Sequence, residues 1–203
     1  MDAIITGDIV NSSKVPAAIW LAALNNELSA MGHTPGDWQI YRGDSFQLLA
    51  PHAEEALFLA IRLKAVLKTI RHLDIRMAIG IGDIDFRNPQ ITASNGSAFL
   101  FSGEKFDKLK QEDSRLAVKS GHNDFDDDVN LLLRLALRTM NNWTVNEAEI
   151  VHLKMLRPDL SQTDLGKIIN LKQNTVSDRL KRAGYSDIMA VDSAFRKKLN
   201  QYL

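Results

Sequence analysis

The order of strand and helix patterns in the first 120 residues constrains the fold of this chain more than any other feature. Short apolar runs typical of strands alternate with stretches in which apolar residues recur at helical spacing. The order is strand, helix, strand, strand, helix, strand, followed by one more helix and one more strand. A chain with this order commonly folds as a split βαβ arrangement, in which an antiparallel sheet carries its helices on one face. The sequence therefore predicts an α+β fold.

The boundaries of these elements follow from the apolar spacing and from the turn residues between them. Strands are predicted at 3–5, 38–41, 45–50, 74–84 and 115–119, and helices at 15–31, 53–70 and 103–110. A right-handed first crossover makes the first two strands parallel and places the third strand between them. We therefore expect a ferredoxin-like sheet for residues 1–120.

Two Gly-Asp pairs occupy corresponding positions in this predicted sheet. Gly7-Asp8 follows the first strand, and Gly43-Asp44 joins the second and third strands. The tip of that hairpin lies at the same end of the sheet as the end of the first strand. Adjacent strands are about 4.8 Å apart. Asp8 and Asp44 are therefore predicted to be neighbours at one edge of the sheet.

Two neighbouring carboxylates repel each other unless a cation lies between them. Mg²⁺ suits such a position because it binds one or two carboxylates together with water and phosphate oxygens. The segment after Asp8 offers backbone N–H groups before a helix, and Lys14 adds a positive charge. We predict Mg²⁺ or Mn²⁺ at Asp8 and Asp44, with a bound nucleoside triphosphate. The predicted nucleotide-binding residues are Val10, Asn11, Ser12, Ser13 and Lys14.

A simpler interpretation of both carboxylates needs no ligand. Asp8 is then a turn residue that hydrogen-bonds its own backbone, and Asp44 is an ordinary hairpin residue. Arg76 points away from the apolar face of its strand, where it can reach solvent or a ligand, and we expect solvent.

The C-terminal 60 residues carry a second informative pattern. Helices are predicted at 145–156, 162–169, 173–183 and 187–202, after an acidic linker and connecting helix at 121–143. Thr144 and Glu147 form a capping box, and Ser161 caps the next helix. Asn170 lies where the chain must turn in a left-handed conformation, which Asn tolerates.

The spacing from residue 160 to residue 185 resembles the helix-turn-helix of bacterial regulators and sigma-like factors. The N-terminal part of the second helix would enter the major groove of DNA, where amide and hydroxyl groups read base edges and cations bind phosphates. Residues 151–185 contain seven Lys or Arg and three Asp. The alternative is a helical hairpin with a solvated charged face. The predicted DNA-binding residues are Lys172, Gln173, Asn174, Thr175, Ser177, Arg179, Lys181 and Arg182.

Composition limits the classes of protein to which this chain can belong. The whole chain holds 25 basic and 25 acidic residues, so any attraction to nucleic acid must come from a local patch. No cysteine is present, which excludes disulfides and thiolate chemistry. No signal peptide and no membrane span are recognisable, and we expect a cytoplasmic protein.

Four segments together resemble class III nucleotidyl cyclases and their palm-domain relatives. They are IITGDIVNSS, YRGDSFQLLA, IRMAIGIGDI and GSAFLFSGEKF, in this order. The resemblance implies a palm-type sheet in which Asp8 and Asp44 bind metal, with the Ile9 carbonyl as a further ligand. Active cyclases carry an Asn and an Arg on the late helix, where this chain has Leu100 and Glu104. These two side chains cannot orient a ribose or stabilise negative charge.

More closely, nearly the whole chain resembles the SatD family, which joins this N-terminal region to a helix-turn-helix. The resemblance implies a palm domain at 1–120, a linker and connecting helix at 121–143, and a DNA-binding domain at 144–203. Three functions follow as hypotheses. The first is a regulator whose palm domain senses a metal-bound nucleotide. The second is a divergent metal-dependent cyclase or nucleotidyltransferase. The third is a DNA-binding protein whose palm domain is only a dimerisation scaffold. We expect the last amphipathic helix to pack on the helix-turn-helix or to pair two chains. A homodimer would suit a symmetric operator.

Overall fold

The computed structural model describes residues 1–112 and 114–202. Five strands form one sheet: β1 (Asp2–Val10), β2 (Trp38–Tyr41), β3 (Ser45–Ala50), β4 (Asp74–Gly82) and β5 (Leu116–Lys119). Within the described residues there are eight α-helices: α1 (Ala17–Ser29), α2 (Ala56–Lys68), α3 (Ser97–Gln111), α4 (Asn123–Met140), α5 (Val145–Leu156), α6 (Gln162–Ile168), α7 (Gln173–Arg182) and α8 (Tyr185–Tyr202). The chain therefore has a mixed α+β fold, as predicted.

The strand order in the sheet is β2-β3-β1-β4-β5. β1 runs antiparallel to both β3 and β4, and β4 runs parallel to β5. Since β3 is also antiparallel to β2, the first two strands are parallel with the third between them. This confirms the order that we derived from a right-handed first crossover.

The first strand is much longer than the sequence suggested. β1 pairs with β4 along its whole length, from Asp2 opposite Gly82 to Val10 opposite Asp74. We had placed the end of this strand at residue 5, before the Gly-Asp pair. That boundary was wrong, because Asp8 lies within the strand and is held on both sides by ladder pairing.

The prediction that all helices lie on one face of the sheet was also wrong. Ile5 and Ile79 belong to the large core that includes α1 and α2, whereas Ile4 packs against Ala98 of α3 on the other face. β1 is apolar on both faces, which is typical of a strand covered on both sides. At Gly80, an added Cβ would lie 2.2 Å from the carbonyl oxygen of Ala98, so α3 approaches the sheet directly over this glycine.

The C-terminal helices agree closely with their predicted boundaries. The capping box of Thr144 and Glu147 is formed, and the Ser161 side chain accepts a hydrogen bond from the Asp164 N–H. Asn170 has φ 54°, the predicted left-handed conformation. Ile150, Leu165, Val176 and Leu180 form a small separate core among α5, α6 and α7.

The helical part packs directly against the sheet part. The large core includes strand residues together with Phe125 of α4 and Phe195 of α8. At its edge, the buried Glu27 of α1 forms an ion pair with Arg62 of α2 and a hydrogen bond with Nε2 of His152 of α5 at 2.8 Å. The division at residues 120 and 143 stays a prediction. No helix in the described part of the chain is long and apolar enough to cross a membrane.

Candidate functional site

The backbones of the two Gly-Asp pairs meet at one end of the sheet. Asp8 lies opposite Ser45 in the β1–β3 ladder, and the Ile9 N–H donates a hydrogen bond to the Asp44 carbonyl oxygen at 3.1 Å. Asp44 follows a turn in which Arg42 and Gly43 both have positive φ. The predicted neighbourhood of Asp8 and Asp44 is therefore confirmed for their backbones.

The two carboxylates nevertheless have separate partners. Asp8 accepts hydrogen bonds from Nε and Nη2 of Arg76 at 3.1 and 2.9 Å. Arg76 lies directly opposite Asp8 in the β1–β4 ladder, and only 17% and 15% of the two side chains are exposed. Asp44 instead accepts a hydrogen bond from the Ser12 hydroxyl at 2.6 Å. The expectation that Arg76 reaches solvent was wrong.

This arrangement does not fit a divalent metal. Both oxygens of Asp8 face the guanidinium of Arg76, which supplies the positive charge that we had assigned to a cation. Within residues 1–112 and 114–202, no group of three or more His, Asp or Glu side chains could hold a metal ion. The Mg²⁺ or Mn²⁺ site at Asp8, Ile9 and Asp44 stays a prediction that this geometry does not support.

The hydroxyl of Tyr41, at the end of β2, is a further polar group near Asp8. Burial raises its pKa, and the negative charges of Asp107 and Asp8 add to this effect against the opposing charge of Arg42. Tyr41 therefore remains a neutral phenol at physiological pH and offers no anionic oxygen to a metal.

The predicted nucleotide-binding segment divides between two cavities. Ser12 and Ser13, with Asp44 and Trp20, line a mostly apolar cavity of about 610 Å³. Val10 ends β1, and Asn11 has φ 65° and turns its side chain to the carbonyl oxygen of His72 at 3.1 Å. Val10 and Asn11 line a second cavity of about 440 Å³. Lys14 is exposed at the end of a 3-10 turn, Ser12–Lys14. Hence no single phosphate cradle brings all five predicted residues together.

Leu100 and Glu104, which the resemblance to cyclases sets against a catalytic Asn and Arg, lie on α3. Leu100 is 57% exposed, and Glu104 forms an ion pair with Lys119 of β5. The pKa of Glu104 is lowered by the hydrogen bond from Lys119 and by its positive charge. Glu104 is thus an anion at neutral pH, which is unsuited to stabilise negative charge.

The turn between α6 and α7 is tightly built. An added Cβ at Gly166 would lie 2.4 Å from the carbonyl oxygen of Leu171, so only glycine permits this approach. The left-handed Asn170 reverses the chain, and Val176 and Leu180 bury the inner face of α7. The outer face of α7 is left to polar side chains.

The predicted DNA-binding residues differ in their surroundings. Lys172, Gln173, Asn174 and Lys181 are exposed, while Thr175 and Ser177 are half-buried. Gln173 donates to Gln162 of α6 at 2.7 Å.

The two arginines of the predicted set are anchored to α5. Arg179 pairs with Glu149 at 3.2 Å, and Arg182 pairs with Glu147 at 3.3 Å. These ion pairs hold α7 against α5. At the beginning of α7, Gln173 and Asn174 are also exposed.

Comparison with known proteins adds one finding. The model of the SatD family matches residues 3–193. This chain belongs to the SatD family. No curated protein and no solved structure matches it. The SatD match covers the sheet, the connecting helix α4, the turn between α6 and α7, and the first half of α8.

Two groups of residues in this SatD chain escaped the sequence analysis. The pairing of Asp8 with Arg76 depends on the β1–β4 register, which the sequence does not give until both strands are assigned. The pairing of Glu27 with His152 joins residues 125 positions apart, and no local pattern marks it. The one available signal was the charge of Arg76 between the apolar residues Ile75 and Met77, which places Arg76 on the opposite face of the strand from these two residues.

Proposed function

We propose that this member of the SatD family is a DNA-binding transcriptional regulator, with a helix-turn-helix domain formed by α5, α6 and α7. The observation that carries the proposal is the beginning of α7. Lys172, Gln173 and Asn174 are exposed there together, beyond a turn that is closely packed at Gly166 and left-handed at Asn170. A recognition helix reads base edges with residues at its N-terminal end.

The roles of the polar residues follow from their partners. Asn174 offers an amide that can bind adenine in a bidentate manner, and Lys172 and Lys181 offer exposed charges to phosphates. Arg179 and Arg182 already pair with acids of α5, so we assign them to the orientation of α7 rather than to base contacts.

We assign a palm-type fold to the N-terminal part and a sensory role to it. The strand order and the β2–β3 hairpin at the end of β1 support the fold assignment. The direct packing of α2 on α5 supports the sensory role, because a ligand that favours one arrangement of these helices would also act on α7. A homodimer would match the two-fold symmetry of most operators.

An enzymatic function is less well supported. Leu100 and Glu104 occupy the positions of the catalytic Asn and Arg of cyclases, and the carboxylate of Asp8 is paired with Arg76. The geometry therefore favours a regulator over a cyclase or nucleotidyltransferase.

The test is selection of bound duplexes from a random DNA library, followed by fluorescence anisotropy on the enriched sequence. Asn174→Ala should weaken binding by roughly tenfold or more, since a bidentate base contact is worth about 1–3 kcal/mol. Asn200→Ala, an exposed position on α8, is the matched control and should bind as the wild type does.

Salt dependence separates phosphate contacts from base contacts. Lys172→Ala should weaken binding to all sequences and reduce the salt slope by about 1, whereas the exposed Lys197→Ala should change neither. The proposal fails if no sequence is enriched, or if Asn174→Ala binds the selected duplex as tightly as the wild type.

A further inference from the structure

A cavity of about 440 Å³ lies where the sheet part meets the helical part. Its walls come from the end of β1, from the connection between α2 and β4, and from the junction of α4 and α5. The lining residues from that junction are Trp143, Thr144 and Val145. Its volume lies in the range of about 300–1,000 Å³ that small-molecule pockets occupy.

The cavity gathers cationic side chains. Lys68, Arg71 and Arg115 all line it, and Asp74 is the one acidic residue among the lining residues that the structure describes. Arg71 is exposed, and its side chain has no ion pair or hydrogen bond with any described residue. The cavity therefore presents an uncompensated positive charge.

The one acidic group of the lining is already neutralised. Lys64 is fully buried and donates a hydrogen bond to Asp74 at 2.6 Å, and Lys68 lies 3.9 Å from the same carboxylate. An entering anion thus meets a neutral Lys64–Asp74 pair rather than a free carboxylate, and the charge of Arg71 is available to it.

The shape of the cavity is held by local contacts. His72 has φ 74°, a strained conformation for a residue with a side chain, and its carbonyl oxygen accepts the hydrogen bond from Asn11. Such strain persists where the surrounding structure fixes it, and it is common at ligand sites.

We propose that this cavity binds a small anion that carries phosphate groups, with Arg71 and Lys68 as its main contacts. Planar guanidinium and compact ammonium groups are the usual partners of phosphate oxygens. This cavity shares no lining residue with the cavity beside Asp44, so it is separate from the predicted metal site.

The position of the site connects it to the DNA-binding helices. Lys68 also donates a hydrogen bond to the Asn141 carbonyl oxygen at 2.6 Å, just after α4. Thr144 and Val145 line the cavity and begin α5, and Glu149 of α5 pairs with Arg179 of α7. An anion that draws Lys68 away from Asn141 would act on the start of α5. This regulatory part rests on the proposed function, whereas the binding itself does not.

Calorimetric titration of the full chain with pyrophosphate and with ATP, at low salt and in EDTA, tests the binding. We expect saturable binding at one site, and we expect Arg71→Glu to weaken it at least tenfold. Arg42→Glu is the matched control, because Arg42 is exposed beside the separate cavity at Asp44. Circular dichroism and a thermal melt show that each variant is folded.

Three outcomes would overturn the site. They are the absence of saturable binding of either probe, unchanged binding in Arg71→Glu, and loss of binding in Arg42→Glu alone. If Arg71→Glu weakens the binding of DNA but no small anion binds, the cavity is a DNA phosphate contact and the inference is also wrong.

DNA affinity measured with and without each probe tests the regulation separately. We expect a change of at least threefold in the wild type and no response in Arg71→Glu. Anion binding by a chain that selects no DNA would overturn the proposed function and leave the site standing.

Discussion

Replacement of Glu27 by Gln should destabilise this protein strongly at neutral pH. The side chain of Glu27 is 7% exposed and accepts hydrogen bonds from Arg62 of α2 and His152 of α5. It therefore joins three helices, one of which belongs to the proposed DNA-binding part. The substitution keeps the shape of the side chain and removes its negative charge.

The magnitude follows from the burial of the three groups. Removal of one partner from a fully buried ion pair costs about 3–5 kcal/mol. Arg62 and His152 keep 13% and 18% of their side chains exposed, and water can solvate them in part. We therefore expect a loss of roughly 2–3 kcal/mol, scaled down from that range. In a chain of this length, each kcal/mol corresponds to a fall of about 2–4 °C in Tm.

The loss should depend on pH. Burial raises the pKa of Glu27, but the hydrogen bonds and positive charges of His152 and Arg62 outweigh it and leave the pKa below the ordinary 4.5. A carboxyl group with a lowered pKa in the folded state stabilises the protein above its unfolded pKa. This contribution disappears as the pH falls through the lower folded value. The difference between the wild type and Glu27→Gln should thus be full at pH 7 and shrink below about pH 4.5.

Urea unfolding at pH 7 and at pH 3.5, followed by circular dichroism, measures the effect. Glu55→Gln is the control, because Glu55 is exposed and forms no ion pair with the described residues. It should change stability by less than about 1 kcal/mol. Equal stability of wild type and Glu27→Gln at pH 7, or a loss that is the same at both pH values, would refute the electrostatic argument.

Three further predictions concern the packing and the buried charges. Gly166→Ala should lower Tm despite the better helix propensity of Ala, because the added Cβ would lie 2.4 Å from the Leu171 carbonyl oxygen. Gly103→Ala in α3 is the matched control, because no atom lies within 4 Å of the added Cβ. It should raise Tm through a gain of about 0.5–1 kcal/mol in the free energy of unfolding. Burial lowers the pKa of Lys64 from 10.5 to about 8, so between these two pH values the unfolded state binds more protons than the folded state. The free energy of unfolding of the wild type, measured with urea, should therefore rise with pH in this range relative to that of Lys64→Met. Arg76→Ala should lower Tm, because it leaves the carboxylate of Asp8 without a cation. Mg²⁺ should restore part of that loss in the variant and should not stabilise the wild type. Equal stabilisation of both proteins by Mg²⁺ would contradict this.

The helical part could be predicted almost completely because its signals are local. The capping box at Thr144, the cap at Ser161 and the left-handed turn at Asn170 each depend on residues within a few positions of one another. Such signals act through backbone hydrogen bonds that are formed in the same way in any tertiary context. The role of Gly166 was not visible, since its close neighbour is decided by how α6 packs on the turn.

The order of the strands in the sheet was predicted, but the position of helices on both of its faces was not. The order follows from one topological rule, the right-handed crossover. Which faces of the sheet carry helices depends on where apolar side chains are buried, and β1 presents Ile4 to one side and Ile5 to the other. Both sides were therefore available to helices, and the small residue Gly80 allowed α3 to take the second side.

The candidate site shows why a topological argument about charge must include every neighbouring strand. The pairing of β1 with β3 alone brings Asp8 beside Asp44 and leaves two carboxylates that need a cation between them. β1 is a central strand, however, and β4 lies on its other side with Arg76 in direct register with Asp8. A guanidinium that is already part of the fold neutralises the carboxylate without the entropic cost of recruiting an ion. An uncompensated positive charge lies instead at Arg71, which lines the cavity at the end of β1, and this charge attracts an anion rather than a metal.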